Sequence, residues 1–253
     1  MIALMERARN PLWSIVVAAV ICFACTETFA QSSTAPAAKP VGPGSLNGMW
    51  TTLGYKGSQR NGPRERVVKT IDGKWPPLQP WAAERLEERI KMTERGEPYT
   101  NTIMECLPGG TPEMTFGSPY PAQIIESSGQ VTILYEMYNH FRVIYMNESH
   151  PADPEPTYMG HSVGRWEGET LVVDTVGLTD RTTIDEVGMP HSEALHVIER
   201  YRRVDNNTLE IIVTLDDPGT FTQPWDTKVT YKAGAPGMKF IEFICENNRN
   251  ARE

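Results

Sequence analysis

Two residues whose side chains can move protons, His161 and Asp174, lie in apolar-rich runs on either side of Glu167 and Gly168. An acidic residue followed by Gly between extended segments is typical of a two-residue β-hairpin loop. If these two residues form the loop, His161 lies directly opposite Asp174, with Cβ atoms roughly 5 Å apart. The spacing therefore predicts a cross-strand His–Asp dyad, an arrangement suited to general acid–base catalysis.

The predicted dyad shares one face of the hairpin with three valines, because side chains alternate along a strand. These are Val163, Val172 and Val176. We predict that this face is buried. A satisfied polar pair in a core, without a catalytic role, is the alternative. A three-residue loop would shift the register by one residue and separate the pair.

Two loop segments with prolines carry further histidines, His150 in HPAD and His191 in MPHS. Loops on a rigid barrel are where ligand-contacting residues concentrate. We predict that these loops bring His150 and His191 to the rim above His161, where they and Arg165 stabilise developing negative charge. In the alternative, each histidine only caps a turn.

Five histidines in one part of the chain also suggest a metal site, since imidazole with a carboxylate is a common metal shell. The spacing contains no HxH or HExxH pair, and we predict no metal ligand. The sequence also lacks a phosphate loop, a dinucleotide fingerprint and a serine nucleophile elbow, and we predict no cofactor.

A second hairpin is predicted around Asp205, Asn206 and Asn207, with Asn207 in the left-handed position that Asn tolerates. The register that separates polar from apolar residues buries Glu199 among apolar side chains. A buried carboxylate without a partner would hold a proton near neutral pH. We expect either a structural salt bridge with an arginine such as Arg142 or Arg165, or an acid–base group.

Several side chains would line an apolar pocket if the barrel is open at one end, although most aromatic residues here are core material. The predicted substrate-binding residues are Tyr135, Arg142, Trp166 and Tyr201.

The N-terminal region resembles an export signal. Arg7 and Arg9 precede an apolar run that is too short to span a bilayer, so residues 1–30 are predicted to be a signal peptide. Two cysteines then remain, Cys106 and Cys245, which in an oxidising compartment favours a disulfide over free thiols or a nucleophile. The formal net charge of -8 argues against a nucleic-acid partner, which needs a basic face.

The elements that must position these residues are short strands separated by turns. We predict strands near Trp50 and Ile124, six from Val131 to Leu215, and two more at Thr227–Tyr231 and Lys239–Cys245. Residues 31–44 are predicted to be a disordered linker. One helix is predicted from Trp81 to Glu94, with an apolar face of Ala83, Leu86 and Ile90.

These elements predict a mainly β fold in one domain, residues 45–248. It is a single antiparallel meander that closes into a β-barrel, with one outer helix and long N-terminal loops. Gly48-x-Trp50 at the start of a first strand resembles the opening of lipocalin-like barrels, in which the Trp closes one barrel end. Lipocalin-like relatives include carriers and enzymes, so the resemblance leaves function open.

Three segments resemble a large group of secreted bacterial proteins of unassigned function. They are HPAD from His150, MGHSVGRWEGETLVVDTVGL from Met159 and HSEALHVIERYRRVD from His191. The resemblance extends over most of the chain after Leu46. It implies a shared barrel-like β-fold and brings no reaction with it.

The sequence thus favours a periplasmic or secreted enzyme that acts on a small, partly apolar organic molecule. His161, oriented by Asp174, is the predicted general base or acid of a lyase, isomerase or hydrolase without a covalent nucleophile. A carrier that uses the same polar groups to orient its ligand is a second hypothesis, and a histidine-ligated metal enzyme is a third. Oligomeric state is left open.

Overall fold

The computed structural model describes residues 44–52, 62–97, 101–116 and 120–245. The chain divides into two units, Met1–Pro40 and Val41–Glu253, and all described residues belong to the second. The predicted signal peptide lies outside the described residues, as does the predicted linker except for Gly44. Within the described ranges no helix is long and apolar enough to cross a membrane.

Strands dominate the fold and close into one barrel in chain order, with the first strand paired to the last. They are β1 (Gly48–Thr52), β2 (Ala122–Ser127), β3 (Gln130–Tyr135), β4 (Phe141–Met146), β5 (His161–Glu167), β6 (Thr170–Val176), β7 (His196–Asp205), β8 (Thr208–Asp216) and β9 (Trp225–Ala233). The mainly β barrel predicted from the sequence is confirmed.

One strand pair departs from the predicted antiparallel meander, because β4 and β5 run parallel. A closed ring of strictly alternating strands needs an even number of strands, and this barrel has nine. One parallel pair is therefore required for β1 and β9 to meet antiparallel, as they do. The connection between β4 and β5, residues 147–160, is consequently a crossover rather than a tight turn.

The last predicted strand, Lys239–Cys245, is wrong, since these residues form no strand. The position beside β9 is occupied by β1, and Ile241 is exposed instead of packed in the barrel. Residues 246–248 of the predicted domain lie outside the described part of the chain.

The β7–β8 hairpin has the predicted register. Val197 pairs with Leu215 and Glu199 with Val213, and the ladder shifts by one residue at a bulge between Arg203 and Asp205. The chain then turns through Asn206 and Asn207 alone, because Asp205 pairs with Thr208. The predicted three-residue loop is therefore wrong, as is the predicted left-handed conformation of Asn207, whose φ is not positive. Polar–apolar alternation fixed this register because one face of both strands is buried.

The β5–β6 hairpin has a different register from the predicted one. Glu167 pairs with Thr170, so the loop is Gly168 and Glu169. Gly168 has φ +61° and stands at the first loop position, which is where a type II′ turn places its glycine. The predicted loop, Glu167 and Gly168, has the glycine at its second position. Every predicted pair between β5 and β6 is consequently displaced by two residues.

Three α-helices occur among the described residues: α1 (Pro63–Arg66), α2 (Pro80–Glu94) and α3 (Glu113–Phe116). A short 3-10 helix, Met137–Asn139, lies between β3 and β4. The predicted helix corresponds to α2, with Leu86 and Ile90 buried as expected. Its third buried residue is Ala82 rather than Ala83, since positions four apart lie on one face of a helix. The Trp81 indole donates to the Gly219 carbonyl, which fixes α2 beside the β8–β9 connection.

The barrel core is formed by alternate residues of every strand together with a segment that enters it. Trp50 is buried as the lipocalin resemblance implies, with its indole N–H on the Leu46 carbonyl and the Arg203 guanidinium 5.3 Å from its ring. Residues 111–116, called the inserted segment below, contribute a run of buried residues from Thr111 to Thr115.

The predicted disulfide between Cys106 and Cys245 is present. It joins the loop that leads into the inserted segment to the C-terminal end of the described chain, across a sequence separation of 139 residues. These two stretches are therefore held together covalently.

Candidate functional site

His161 and Asp174 lie on the same face of the β5–β6 hairpin, but that face is the outer wall of the barrel. In the observed register His161 pairs with Val176 and Asp174 with Val163, so the two residues are diagonal neighbours. A displacement of two residues preserves the face of each side chain, whereas a displacement of one would have reversed it.

The inner face of this hairpin carries Leu171 and Val173 from β6, but its other buried residues are small or bear hydroxyls, which explains why apolar content did not identify it. Ser162 and Thr175 are buried and accept hydrogen bonds from the Arg142 guanidinium at 3.0 and 2.7 Å. Gly164 is also buried, and a Cβ there would lie 2.7 Å from Ile144 Cγ2. The predicted burial of the valine face holds only for Val172, whereas Val163 and Val176 are half-buried. The opposite face points inward because Arg142 inside the barrel requires polar partners there.

Four side chains on the outer wall form a hydrogen-bonded chain, called the histidine cluster here. His161 Nδ1 lies 2.9 Å from His150 Nδ1. His150 Nε2 lies 3.0 Å from Asp174 Oδ1, and His196 Nε2 lies 2.8 Å from the same oxygen. His161 and Asp174 are thus connected through His150, not by the direct contact that the sequence predicted.

The crossover between β4 and β5 brings His150 to the outer wall. It leaves β4 through Asn147, whose N–H donates to the Gly164 carbonyl and whose φ is +59°. Further along, the Thr157 N–H donates to the Gly177 carbonyl at the end of β6. These backbone bonds fix both ends of the segment that carries His150 over the hairpin.

His196 lies on the outer wall, and no role for it is predicted from the sequence. The β6–β7 pairing of Asp174 with Ile198 makes His196 a diagonal neighbour of Asp174. Predicting the β6–β7 register, in addition to the two hairpins, would have identified this contact.

The hydrogen-bond pattern determines which nitrogens carry protons. An ionised carboxylate only accepts, so His150 and His196 each donate from Nε2 to Asp174. A neutral His150 then has an unprotonated Nδ1, which accepts from His161 Nδ1–H. The remaining nitrogen of His161, Nε2, is left with a lone pair and no hydrogen-bond partner among the described residues.

The surroundings of His161 favour its neutral form. Partial burial lowers the pKa of His161, the His150 imidazole lowers it further, and Glu148 opposes the change. The Tyr145 ring stacks on the His161 ring, with centroids 5.3 Å apart. Because the side chains of His150, Asp174 and His196 remain 23%, 27% and 35% exposed, the cluster is open to molecules from solvent.

The predicted salt bridge of Glu199 is present inside the barrel, with Arg142 as the partner. Glu199 Oε1 also accepts the Tyr201 hydroxyl and the Thr115 hydroxyl, both at 2.9 Å. Arg165 does not take part, since it pairs with Glu167 on the surface and more than half of its side chain is exposed.

The predicted substrate-binding residues lie in two places. Tyr135, Arg142 and Tyr201 are buried within the barrel, where Arg142 Nη1 has no hydrogen-bond partner among the described residues. Trp166 is 38% exposed near the β5–β6 turn.

His191 is not part of the histidine cluster. It is buried, with Nδ1 against the Ser192 carbonyl at 2.9 Å and Nε2 against the Thr182 hydroxyl at 2.7 Å. Both ring nitrogens are therefore engaged in local contacts, and burial lowers the pKa of His191. The expected meeting of His191 with His161 does not occur.

The hypothesis of a histidine-ligated metal concerns the same side chains. In the described ranges, no group of three or more His, Cys, Asp or Glu side chains is arranged to hold a metal ion.

The chain is thus a closed nine-stranded β-barrel with a histidine–aspartate cluster on its outer wall. No protein-family model and no curated protein sequence matches it. A solved structure of a mutant of the fluorescent protein UnaG matches with 11% sequence identity and a TM-score of 0.31, over 75% of this chain and 96% of that chain.

Proposed function

We propose that this protein is an exported enzyme that performs general acid–base chemistry on a small organic molecule at the histidine cluster. The observation that carries the proposal is the chain from His161 through His150 to Asp174, which leaves His161 Nε2 as a neutral base. His161, the residue expected from the sequence, keeps its proposed role, and His150 takes the position between it and the acid.

In the proposed reaction His161 Nε2 removes a proton from the substrate or from a water molecule. The positive charge that forms on His161 is stabilised because its Nδ1–H donates to His150, whose Nε2–H donates to the Asp174 carboxylate. His196, bonded to the same carboxylate oxygen, helps to fix Asp174 in place. Return of the proton to a different atom of the substrate completes an isomerisation. Delivery of the proton to a departing group completes an elimination by a lyase, or a hydrolysis when a water molecule was the group deprotonated and its oxygen has replaced the departing group.

Apolar surface around the cluster supports a partly apolar substrate. Tyr145 is 38% exposed while it stacks on His161, and Phe141 on the same strand is 62% exposed. Side chains two or four residues apart on a strand point to the same side, so both rings face outward beside the cluster. A planar or aliphatic substrate group can contact these rings while its acidic atom faces His161.

The first experiment tests the cluster without knowledge of the substrate. Long-range proton–nitrogen NMR of the imidazole rings should show His161 protonated at Nδ1 and unprotonated at Nε2 near neutral pH. In Asp174→Asn the tautomers of His150 and His196 should change. A His161 ring protonated at Nε2 in the wild-type protein would contradict the proposal.

The second experiment measures turnover, with p-nitrophenyl acetate hydrolysis as the first probe and carbon acids as the next. We expect His161→Gln to reduce kcat by about 100-fold or more, which is the usual contribution of a positioned base. His140→Gln is the matched control, because His140 is half-buried and lies outside the cluster. Equal values of kcat in His161→Gln and His140→Gln would mean that the hydrolysis reflects only the general reactivity of imidazoles, and would contradict the role of His161.

A carrier function is the second candidate, favoured by the buried Arg142 Nη1, which has no partner among the described residues. Buried donors in proteins are normally paired, so a ligand oxygen or a water molecule must satisfy this one. Mass spectrometry of an organic extract of the purified protein tests for such a ligand. A bound molecule retained in Asp174→Asn, with no product formed, would favour the carrier over the enzyme.

A further inference from the structure

We infer that the inserted segment, residues 111–116, is a pH-sensitive gate over the polar interior of the barrel, closed while the Glu113 carboxyl is protonated and released when it ionises. This inference concerns the barrel interior and does not depend on the histidine cluster.

The hydrogen bonds around Glu113 indicate that its carboxyl carries a proton when the segment is in place. Glu113 is buried, and its Oε1 has no partner among the described residues. Its Oε2 lies 3.0 Å from the Thr183 hydroxyl, which lies 2.9 Å from the Asp185 carbonyl. A hydroxyl has one proton. Thr183 is placed as the donor to both oxygens, and its single proton can serve only one of them at a time. A protonated Glu113 carboxyl that donates to the Thr183 hydroxyl satisfies both contacts.

The charged groups that face Glu113 oppose its ionisation. The loop that carries Thr183 contributes Asp185 and Glu186, both of which repel a second negative charge. Desolvation is the largest cause, the hydrogen bond with the Thr183 hydroxyl opposes it, and the two charges add to it, so that the pKa of Glu113 is raised to about 8. The Asp185 carboxylate is itself held by backbone N–H groups, including those of Val68 and Met189.

The cations near this loop are engaged elsewhere. Arg66 of α1 pairs with Glu186 at 3.6 Å. Lys69 donates to the Arg64 carbonyl at 3.1 Å and lies over the Trp75 ring. Among the described residues, an ionised Glu113 would therefore have no salt-bridge partner at its present position. Outward movement into water would remove the free-energy cost of burying its unpaired charge.

Movement of Glu113 is coupled to the barrel interior through the same helical turn. Thr115, two residues further on, donates its hydroxyl to Glu199, and its carbonyl accepts the Tyr231 hydroxyl at 2.7 Å. Withdrawal of α3 removes a donor from Glu199 and an acceptor from Tyr231, and takes buried Met114 out of the core. The opening exposes a set of polar groups, together with Arg142, inside the barrel.

The backbone before the segment is suited to a hinge. Gly110 has φ +81°, and a Cβ there would lie 2.5 Å from the Tyr158 carbonyl oxygen, so a glycine is required. Upstream, the Cys106–Cys245 disulfide tethers the chain. The segment can leave the barrel mouth while its N-terminal attachment stays in place.

Hydrogen–deuterium exchange tests the gate, with rates corrected for the intrinsic dependence of exchange on pH. The amides of Met114, Thr115 and Phe116 donate to backbone carbonyls of residues 110 and 112 and should be protected in the closed state. In the wild-type protein we expect their protection to fall about ten-fold per pH unit below the pKa of Glu113, about 100-fold in all between about pH 6 and about pH 9, as one linked proton requires. In Glu113→Gln the protection should not change over this range.

The matched control is Glu126→Gln, which removes a carboxylate that accepts from residues 45–47 and should retain the wild-type fall. If Glu113→Gln does not fold, Glu113→Met serves as the second uncharged variant. Protection that stays constant in the wild-type protein, or falls equally in the uncharged variant, would overturn the inference.

Discussion

At the scale of single residues, the position of one proton decides what the outer wall can do. His161 has its Nδ1 directed to His150 and its Nε2 without a described partner, while Asp174 accepts from two imidazoles on the same oxygen. The carboxylate therefore acts on His161 indirectly. A neutral relay of this kind stabilises positive charge only after His161 has taken up a proton.

The pH dependence of turnover follows from the state of His161. A base works in its unprotonated form, so kcat/KM should rise with pH through the pKa of His161 and then level off. Because that pKa lies below its ordinary value, the rise should occur at lower pH than for a free imidazole. Glu148→Gln removes the charge that opposes the lowering and should shift the rise further toward acid, as an NMR titration of the His161 ring can check.

The buried ion pair should respond strongly to loss of one partner. Arg142→Met leaves the Glu199 carboxyl without its charged partner in the core, and we expect a loss of about 3–5 kcal/mol in the free energy of unfolding. The double variant Arg142→Met/Glu199→Leu should recover much of that loss, since no uncompensated charge remains. Urea denaturation of both variants measures the difference, and equal losses would contradict a charge effect.

At the scale of elements, the hairpins show what sequence patterns can specify. The β7–β8 register was predictable because one buried face, from Val197 to Tyr201, separates polar from apolar residues. The β5–β6 register was not, since a Gly beside two glutamates fits a loop in more than one way. The inner face of that hairpin was also misassigned, because the Ser and Thr side chains there bind Arg142, which comes from another strand.

The turn between β5 and β6 offers a direct test of this register. Gly168 has φ +61°, and a Cβ at this position would have no other atom within 4 Å. Gly168→Ala should therefore cost only the backbone strain, about 1–2 kcal/mol. Glu169→Ala, at the other loop position, should be nearly neutral. Thermal unfolding of the two variants checks this. A larger loss of stability for Glu169→Ala than for Gly168→Ala would contradict a loop formed by Gly168 and Glu169.

At the scale of the whole molecule, the barrel is closed by pairing, and the disulfide adds a covalent link outside the strand ladder. Cys106 and Cys245 could be paired from the sequence because two cysteines remained after the predicted signal peptide. The inserted segment could not be predicted. Its residues, including Glu113 and Thr115, are polar enough to resemble a surface loop, and their burial depends on partners from distant strands.

Removal of the disulfide should destabilise the protein without opening the barrel ladder. We expect Cys106→Ala/Cys245→Ala to lower the free energy of unfolding by about 2–5 kcal/mol, because the cross-link restricts the unfolded chain over a long separation. Chemical denaturation with and without reductant measures this. Reductant should not change the free energy of unfolding of the double variant. If reductant also left the stability of the wild-type protein unchanged, a stabilising disulfide would be contradicted.

The odd number of strands has a consequence for how the site can be acquired or lost. The parallel pair requires a long surface connection between β4 and β5. His150 therefore belongs to a stretch of chain that forms none of the nine barrel strands. Exchange of that stretch would add or delete His150, and with it the connection between His161 and Asp174, while every strand pair stays as it is. Replacement of residues 147–160 by a connection without histidine is therefore a way to interrupt the proposed relay and leave the other three side chains of the histidine cluster on their strands.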